Sequence, residues 1–177
     1  MRLITTLTLF LATLFVSTPA RADLIGSNVT GTLYYPNLST VFAGPVGPVV
    51  VGPGIEFPTI AFDGTVDVTG SQIIWTATLS IVYGAGVFNG FDLLFSGAPT
   101  ITNVTVDGST TLPPVSFSFT GNDVKFNLAG LSATAGQKTI LDIQTSASAV
   151  PEPATGFMTF LVLLGFISHR VRRFGHR

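Results

Sequence analysis

Within the ten residues Ile73–Val82, "IIWTATLSIV", apolar and polar side chains alternate strictly from Trp75 to Ile81. Trp75, Ala77, Leu79 and Ile81 fall on one face, and Thr76, Thr78 and Ser80 on the other. Successive side chains of a strand point to opposite sides of a sheet, so this run predicts a strand with one face buried and one wet. Shorter runs of the same kind recur, separated by Gly, Pro, Asn and Asp. They are Val29–Tyr35, Gly64–Gly70, "FDLLFSG", "ITNVTVDG", "VSFSF", "DVKFNL" and "KTILDIQTS". In "VSFSF" the pattern turns Val115, Phe117 and Phe119 inward and Ser116 and Ser118 outward. In "DVKFNL" it turns Val124, Phe126 and Leu128 inward. No stretch carries helical periodicity over a useful length. Eight or nine short strands at this spacing predict an all-β body, an antiparallel β-sandwich or a jelly-roll-like arrangement.

One segment breaks the pattern. "AGPVGPVVVGPGIEFP" sets four prolines among glycines, and proline has no N–H to give to a ladder. The expectation is a long exposed loop, serving either as a recognition surface or as a cover over a sheet edge. "GAGVFNG" and "ATAGQK" read as turns. Gly84, Gly86 and Gly90 have the wrong spacing for a phosphate cradle, and the residues after Gly90 are strand-like rather than helical.

The chain divides into 1–22, 23–149 and 150–177. The middle part holds 127 residues, enough for one domain of ordinary size. It carries eight carboxylates against Lys125 and Lys138, which leaves −6; the whole-chain value of −1 hides this because the arginines lie in the ends. A body this acidic repels phosphate backbones, so no nucleic-acid partner is expected. It has no Cys, no His and no Arg; His169 and His176 lie in the last segment. That removes disulfides, thiolate metal sites, the Ser/His/Asp triad and the Cys/His pair. Carboxylates, two lysines and Tyr34, Tyr35 and Tyr83 remain for acid–base work. No catalytic residue, cofactor or metal site is assigned. Asp63 and Asp67 stand four apart, on one face of a strand, where two carboxylates can share a calcium ion; Asp63-Gly64 also reads simply as a turn. A glycosidase needs only two carboxylates, but no spacing singles out a pair. Trp75 reads as core rather than as a sugar-stacking platform.

The two ends obey other rules. Met1 and Arg2 precede the apolar run "LITTLTLFLATLFV" and then "STPARA". A positive start, a greasy core and small residues at Ala20 and Ala22 form the pattern of a secretory signal peptide cut after Ala22. The expected mature chain starts at Asp23; an uncleaved anchor is the alternative. The far end reads "VPEPATGFMTFLVLLGFISHRVRRFGHR". Pro151 and Pro153 keep their stretch extended, the form a protease cleft needs, with Glu152 between them. The apolar run then includes Phe157, Leu161, Leu163, Leu164, Phe166 and Ile167. Helical from Ala154 to Ser168, it would be about 22 Å long, against about 30 Å of bilayer core. Arg170, Arg172 and Arg173 can reach the headgroups and would stay on the cytoplasmic side, leaving the body outside. A buried core helix is the alternative.

Pro151-Glu152-Pro153, the greasy run 157–167 and the basic end, in that order on a chain with a signal peptide, resemble the PEP-CTERM sorting signal. Such signals are read by exosortases, membrane proteases of Gram-negative bacteria. The resemblance covers the last 28 residues and is silent on the body. It implies an exported protein that meets signal peptidase and the secretion machinery, rests transiently in the inner membrane, is cut by an exosortase, and reaches the cell surface or matrix; that the protein is non-enzymatic is expected from the body's thin stock of acid–base residues. It also implies a link to exopolysaccharide and biofilm. A carbohydrate-binding β-sandwich and a carboxylate-dependent hydrolase are the competing readings. Exposed, aligned aromatics would favour the first of these, and two carboxyls facing across a cleft the second.

Overall fold

The computed structural model describes residues 23–60 and 64–146. All belong to the first of two units into which the chain divides, Met1–Ala147; the second unit, Ser148–Arg177, lies outside the described residues. The strands are β1 (Asn28–Tyr34), β2 (Val41–Val50), β3 (Ile55–Ile60), β4 (Gly64–Val68), β5 (Gln72–Ala77) and β6 (Ile81–Val82). They continue with β7 (Gly90–Ser96), β8 (Ile101–Val106), β9 (Ser116–Thr120), β10 (Asp123–Asn127), β11 (Ser132–Ala133) and β12 (Lys138–Thr145). There is no helix among the described residues.

Ten strands form two five-stranded sheets, in the orders β2-β1-β7-β10-β9 and β3-β4-β5-β12-β8, and β6 pairs with β11 as a short ribbon. Every pairing is antiparallel. The fold is an all-β sandwich, as alternation predicts. One sheet turns Val29, Leu33, Phe91, Leu93, Phe95, Val124 and Phe126 inward; the other contributes Phe57, Val66, Val68, Ile73, Trp75, Leu141 and Ile143 to the same core. Trp75 is wholly buried and links the layers. Its ring lies 6.1 Å from Phe91 and 6.0 Å from Tyr83, and Phe91 lies 5.1 Å from Phe126. These spacings sit in the favourable range for tilted and edge-on aromatic pairs.

The structure corrects three expectations. The Gly/Pro segment is not a loop: Val41–Val50 and Ile55–Ile60 are strands, each at the edge of its sheet. Prolines are tolerated there because an edge strand has one side with no ladder to serve. β2 holds its place irregularly, with register shifts along β1. Gly44 and Gly47 take φ of 95° and 107°, and a Cβ on either would meet the β1 backbone oxygens of Gly31 and Val29 at 2.9 and 2.8 Å. Only glycine allows both that conformation and that approach.

Ile73–Val82 is not one strand. β12 stops pairing with β5 at Lys138, opposite Thr76, so the ladder runs out and the chain turns away after Ala77. Leu79, expected inside, is exposed, and Ile81 and Val82 re-pair with β11. Val115, Phe117 and Phe119 are exposed as well. Phe117 and Phe119 lie opposite Phe126 and Val124 and so share their face. They sit on the outermost strand, where the facing sheet covers them only in part. By contrast, Val124, Phe126 and Leu128 are fully buried as expected.

Trp75→Ala is expected to destabilise the sandwich by about 3–5 kcal/mol in a urea titration, the usual cost of emptying an aromatic core site. Trp75→Phe should cost clearly less. Trp75 Nε1 finds no acceptor among the described residues, so phenylalanine gives up ring volume without breaking a bond.

Candidate functional site

One end of the sandwich carries a pocket of about 210 Å³. Leu33 lines it from the end of β1, Phe42 comes from β2, and Ile81 and Val82 come from β6. Tyr35, Tyr83, Gly84 and Asn89 complete it from the adjoining loops. Tyr35 meets Phe42 edge to face, with ring centres 6.3 Å apart at 87°. Phe42 is 64% exposed, an unusual state for a phenylalanine, and Tyr35 is half-buried beside it. The Tyr35 hydroxyl stands directly over Gly84, where a Cβ would be 2.7 Å from it.

Two asparagines fix the loop that forms the wall. Asn127, buried at the end of β10, accepts from the backbone N–H groups of Asn89 (2.9 Å) and Ala129 (3.0 Å) and donates to the Val87 carbonyl (3.2 Å). Asn89, also buried, donates through Nδ2 to the Gly84 carbonyl (3.1 Å). The Phe88 N–H reaches the Pro36 carbonyl (3.1 Å), and Tyr83 trades bonds with Leu131 (2.8 Å) and Gly130 (3.0 Å). These directed bonds fix the loop between β6 and β7 that lines the pocket.

Titratable groups gather elsewhere. Asp92 of β7 and Lys125 of β10 are register partners on the outer face of their sheet, and Asp123 stands two residues before Lys125 on that face. Lys125 Nζ donates to Asp92 Oδ2 at 3.2 Å and also to Asp123 Oδ2. Burial pushes the Asp92 carboxyl up to about 6, aided by its hydrogen bond with Asp123 and that group's charge, against the pull of Lys125. Burial works to lower the Lys125 pKa, but its bonds and charges with Asp123 and Asp92 prevail and raise it. On the other sheet, Glu56 is buried and accepts from the backbone N–H groups of Gly52 (3.0 Å) and Val68 (2.6 Å). Burial raises the Asp67 pKa, with the charge of Glu56 adding to it and Lys138 opposing.

Asp63, the suggested calcium partner of Asp67, lies outside the described residues. Among the described residues no group of three or more His, Cys, Asp or Glu side chains stands where it could hold a metal ion. Asp92 and Asp123 stand on the outer face of their sheet with Lys125 Nζ on the Oδ2 of each, rather than facing each other across an open cleft. Gly84–Gly90 forms a loop leading into strand β7, not a helix. Trp75 lies in the core and cannot stack on a sugar. Ala20, Ala22, Pro151, Glu152, Pro153, the apolar run and Arg170, Arg172 and Arg173 lie outside the described residues. Among the described residues no helix is long and apolar enough to cross a membrane. No family model, no curated protein and no solved structure matches this chain.

Sequence reading missed the pocket. Its walls come from four separated stretches, and the one local signal was the aromatic pair Tyr34-Tyr35 ahead of the proline-rich segment. Asn127→Ala is expected to destabilise the protein by about 2–4 kcal/mol in denaturant titration, because it strands two N–H groups and a carbonyl. Asn127→Asp keeps the acceptor and should cost less.

Proposed function

We propose that this chain is an exported, non-enzymatic protein held briefly at the inner membrane and cut near Pro151–Pro153 by an exosortase. The body is then released to the cell surface or matrix, where it serves exopolysaccharide or biofilm assembly. The observation that carries the reading is the amino-acid sequence of the tail: the Pro-Glu-Pro triplet, the apolar run and the arginines, in that order, after an acidic body that contains no arginine. The fold is compatible with it, since every strand of both sheets lies between Asn28 and Thr145. Cutting near Pro151–Pro153 and after Ala22 leaves the ladders whole.

Replacing Pro151, Glu152 and Pro153 together by alanine is expected to block processing and leave the body folded. Alanine lets a helix extend back over the scissile region. The uncut protein should collect in the inner-membrane fraction of a host that has the exosortase, heavier than the mature form by the mass of the tail. Fractionation, with intact mass of the released body, checks both ends at once; the mature form should begin at Asp23. Equal size and location for wild type and triple variant in that host would show that the tail is not a sorting signal.

The exposed Phe42 beside Tyr35, over a preformed pocket, favours carbohydrate binding as the second reading. Aromatic faces and a few fixed polar groups are what a sugar ring meets in such sites. Phe42→Ala should then abolish retardation of the body in gels cast with the host's own exopolysaccharide, while its denaturation midpoint stays near wild type. Equal retardation of both forms, or none by wild type, would set this reading aside.

A further inference from the structure

The outer face of sheet β2-β1-β7-β10-β9 holds two acids and one base in contact. Lys125 Nζ serves Oδ2 of Asp92 and Oδ2 of Asp123. The Oδ1 atoms of both acids are shut off from solvent and find no donor. Two ionised carboxylates gathered on one ammonium would leave two buried lone-pair sites empty and one negative charge uncompensated by Lys125. Both defects carry a free-energy penalty when water is excluded. A single proton removes both, because a protonated carboxyl donates to its ionised neighbour. Paired carboxyls titrate together in this manner wherever their separation forbids double ionisation.

The surroundings offer no other remedy. β1 brings Thr32 opposite Asp92 and Thr30 opposite Leu94, with Tyr34 as its one titratable side chain. β9 presents Ser118 opposite Lys125 and Thr120 opposite Asp123 and carries no charged residue. Lys125 is the one cation facing the pair from the strands that flank it.

We propose that Asp92 and Asp123 share one proton between their carboxyls and that this proton makes the sandwich stronger in mildly acidic than in neutral surroundings. The direction comes from linkage. The folded-state pKa of Asp92 stands above its ordinary value of 3.8, near 6. Between those two values the folded protein holds more protons than the unfolded chain. Its stability therefore falls as pH rises through that window and levels off above it. An ordinary ion-paired carboxylate does the opposite.

The experiment is denaturant unfolding of the body at pH 5.0 and pH 7.5, for wild type, Asp92→Asn and Asp107→Asn. Asparagine at 92 is isosteric with the protonated acid and donates to Asp123 at every pH. Wild type should show a lower midpoint at pH 7.5 than at pH 5.0. Asp92→Asn should lose that fall and match or exceed wild type at pH 7.5. Bonds from Ser109 lower the Asp107 pKa, so it stays ionised across the range. Asp107→Asn removes the same formal charge and should keep the wild-type fall, which separates the shared proton from general charge repulsion. A carboxyl-carbon NMR titration of the wild type should show Asp92 changing near pH 6. An Asp92→Asn protein that keeps the fall, or that is weaker than wild type at both pH values, would overturn the proposal, as would an Asp92 signal that titrates below pH 4.

Discussion

The contact on which the rest of this fold depends is the aromatic seam between the two sheets. Trp75 belongs to one sheet and Phe91 to the other, and Phe91 passes the contact on to Phe126. The chain has no cysteine, so no disulfide staples the layers. Burial of apolar surface must then hold them, and it scales with the area removed from water. The seam puts the largest side chain of the protein at the point where the layers meet. Gly64 gives it room: a Cβ there would be 2.4 Å from Trp75 Nε1. A small residue on β4 and a large one on β5 therefore form one packing unit, and changing either disturbs the spacing of the sheets.

The same sandwich buries carboxylates in two ways. Glu56 receives two backbone N–H bonds, which satisfy the ionised form directly and tie the turn at Gly52 to β4. Charge-assisted bonds of this sort are among the stronger ones in a protein. Asp92 sits mid-strand in β7 and Asp123 opens β10, and no backbone N–H reaches the Oδ1 of either. Their donors must come from side chains, and Lys125 cannot reach all four oxygens. The difference lies in the donors: two backbone N–H groups reach Glu56, and a single lysine serves both aspartates.

Much of the core was legible in the sequence because alternation is a local property. Gly64–Val68, Gln72–Ala77 and Asp123–Leu128 bury the residues that their pattern assigns inward. Legibility ended where neighbours rather than pattern decide. Leu79 continues the alternation of β5 but has no partner strand, so it ends in solvent. Phe117 and Phe119 face the core side from a strand too far out to be covered. The prolines at 45, 48 and 58 argued correctly against a central strand, but edge strands satisfy the same constraint. The pocket and the Asp92–Lys125–Asp123 cluster were invisible because each unites residues more than thirty positions apart. No spacing rule links Tyr35 with Tyr83, or Asp92 with Asp123, before the strands are ordered.

The four sheet edges are guarded unequally, and this bears on what acid does to the molecule. β2 and β3 are consecutive in sequence and edge the two sheets; both carry proline and irregular register, which spoils them as templates for another chain. β9 has neither device. Its five residues are exposed, uncharged and regular, and two of them are phenylalanines. What keeps such an edge from meeting its like is long-range repulsion between bodies that carry eight acids and two lysines. Asp92 and Asp123 contribute to that charge from β7 and from β10, the strand that pairs with β9. A proton taken up there satisfies the orphaned oxygens and also removes one of the charges that separate copies. Acidification then acts on the protein twice, firming the sheet within each copy while weakening the repulsion that guards its open edge.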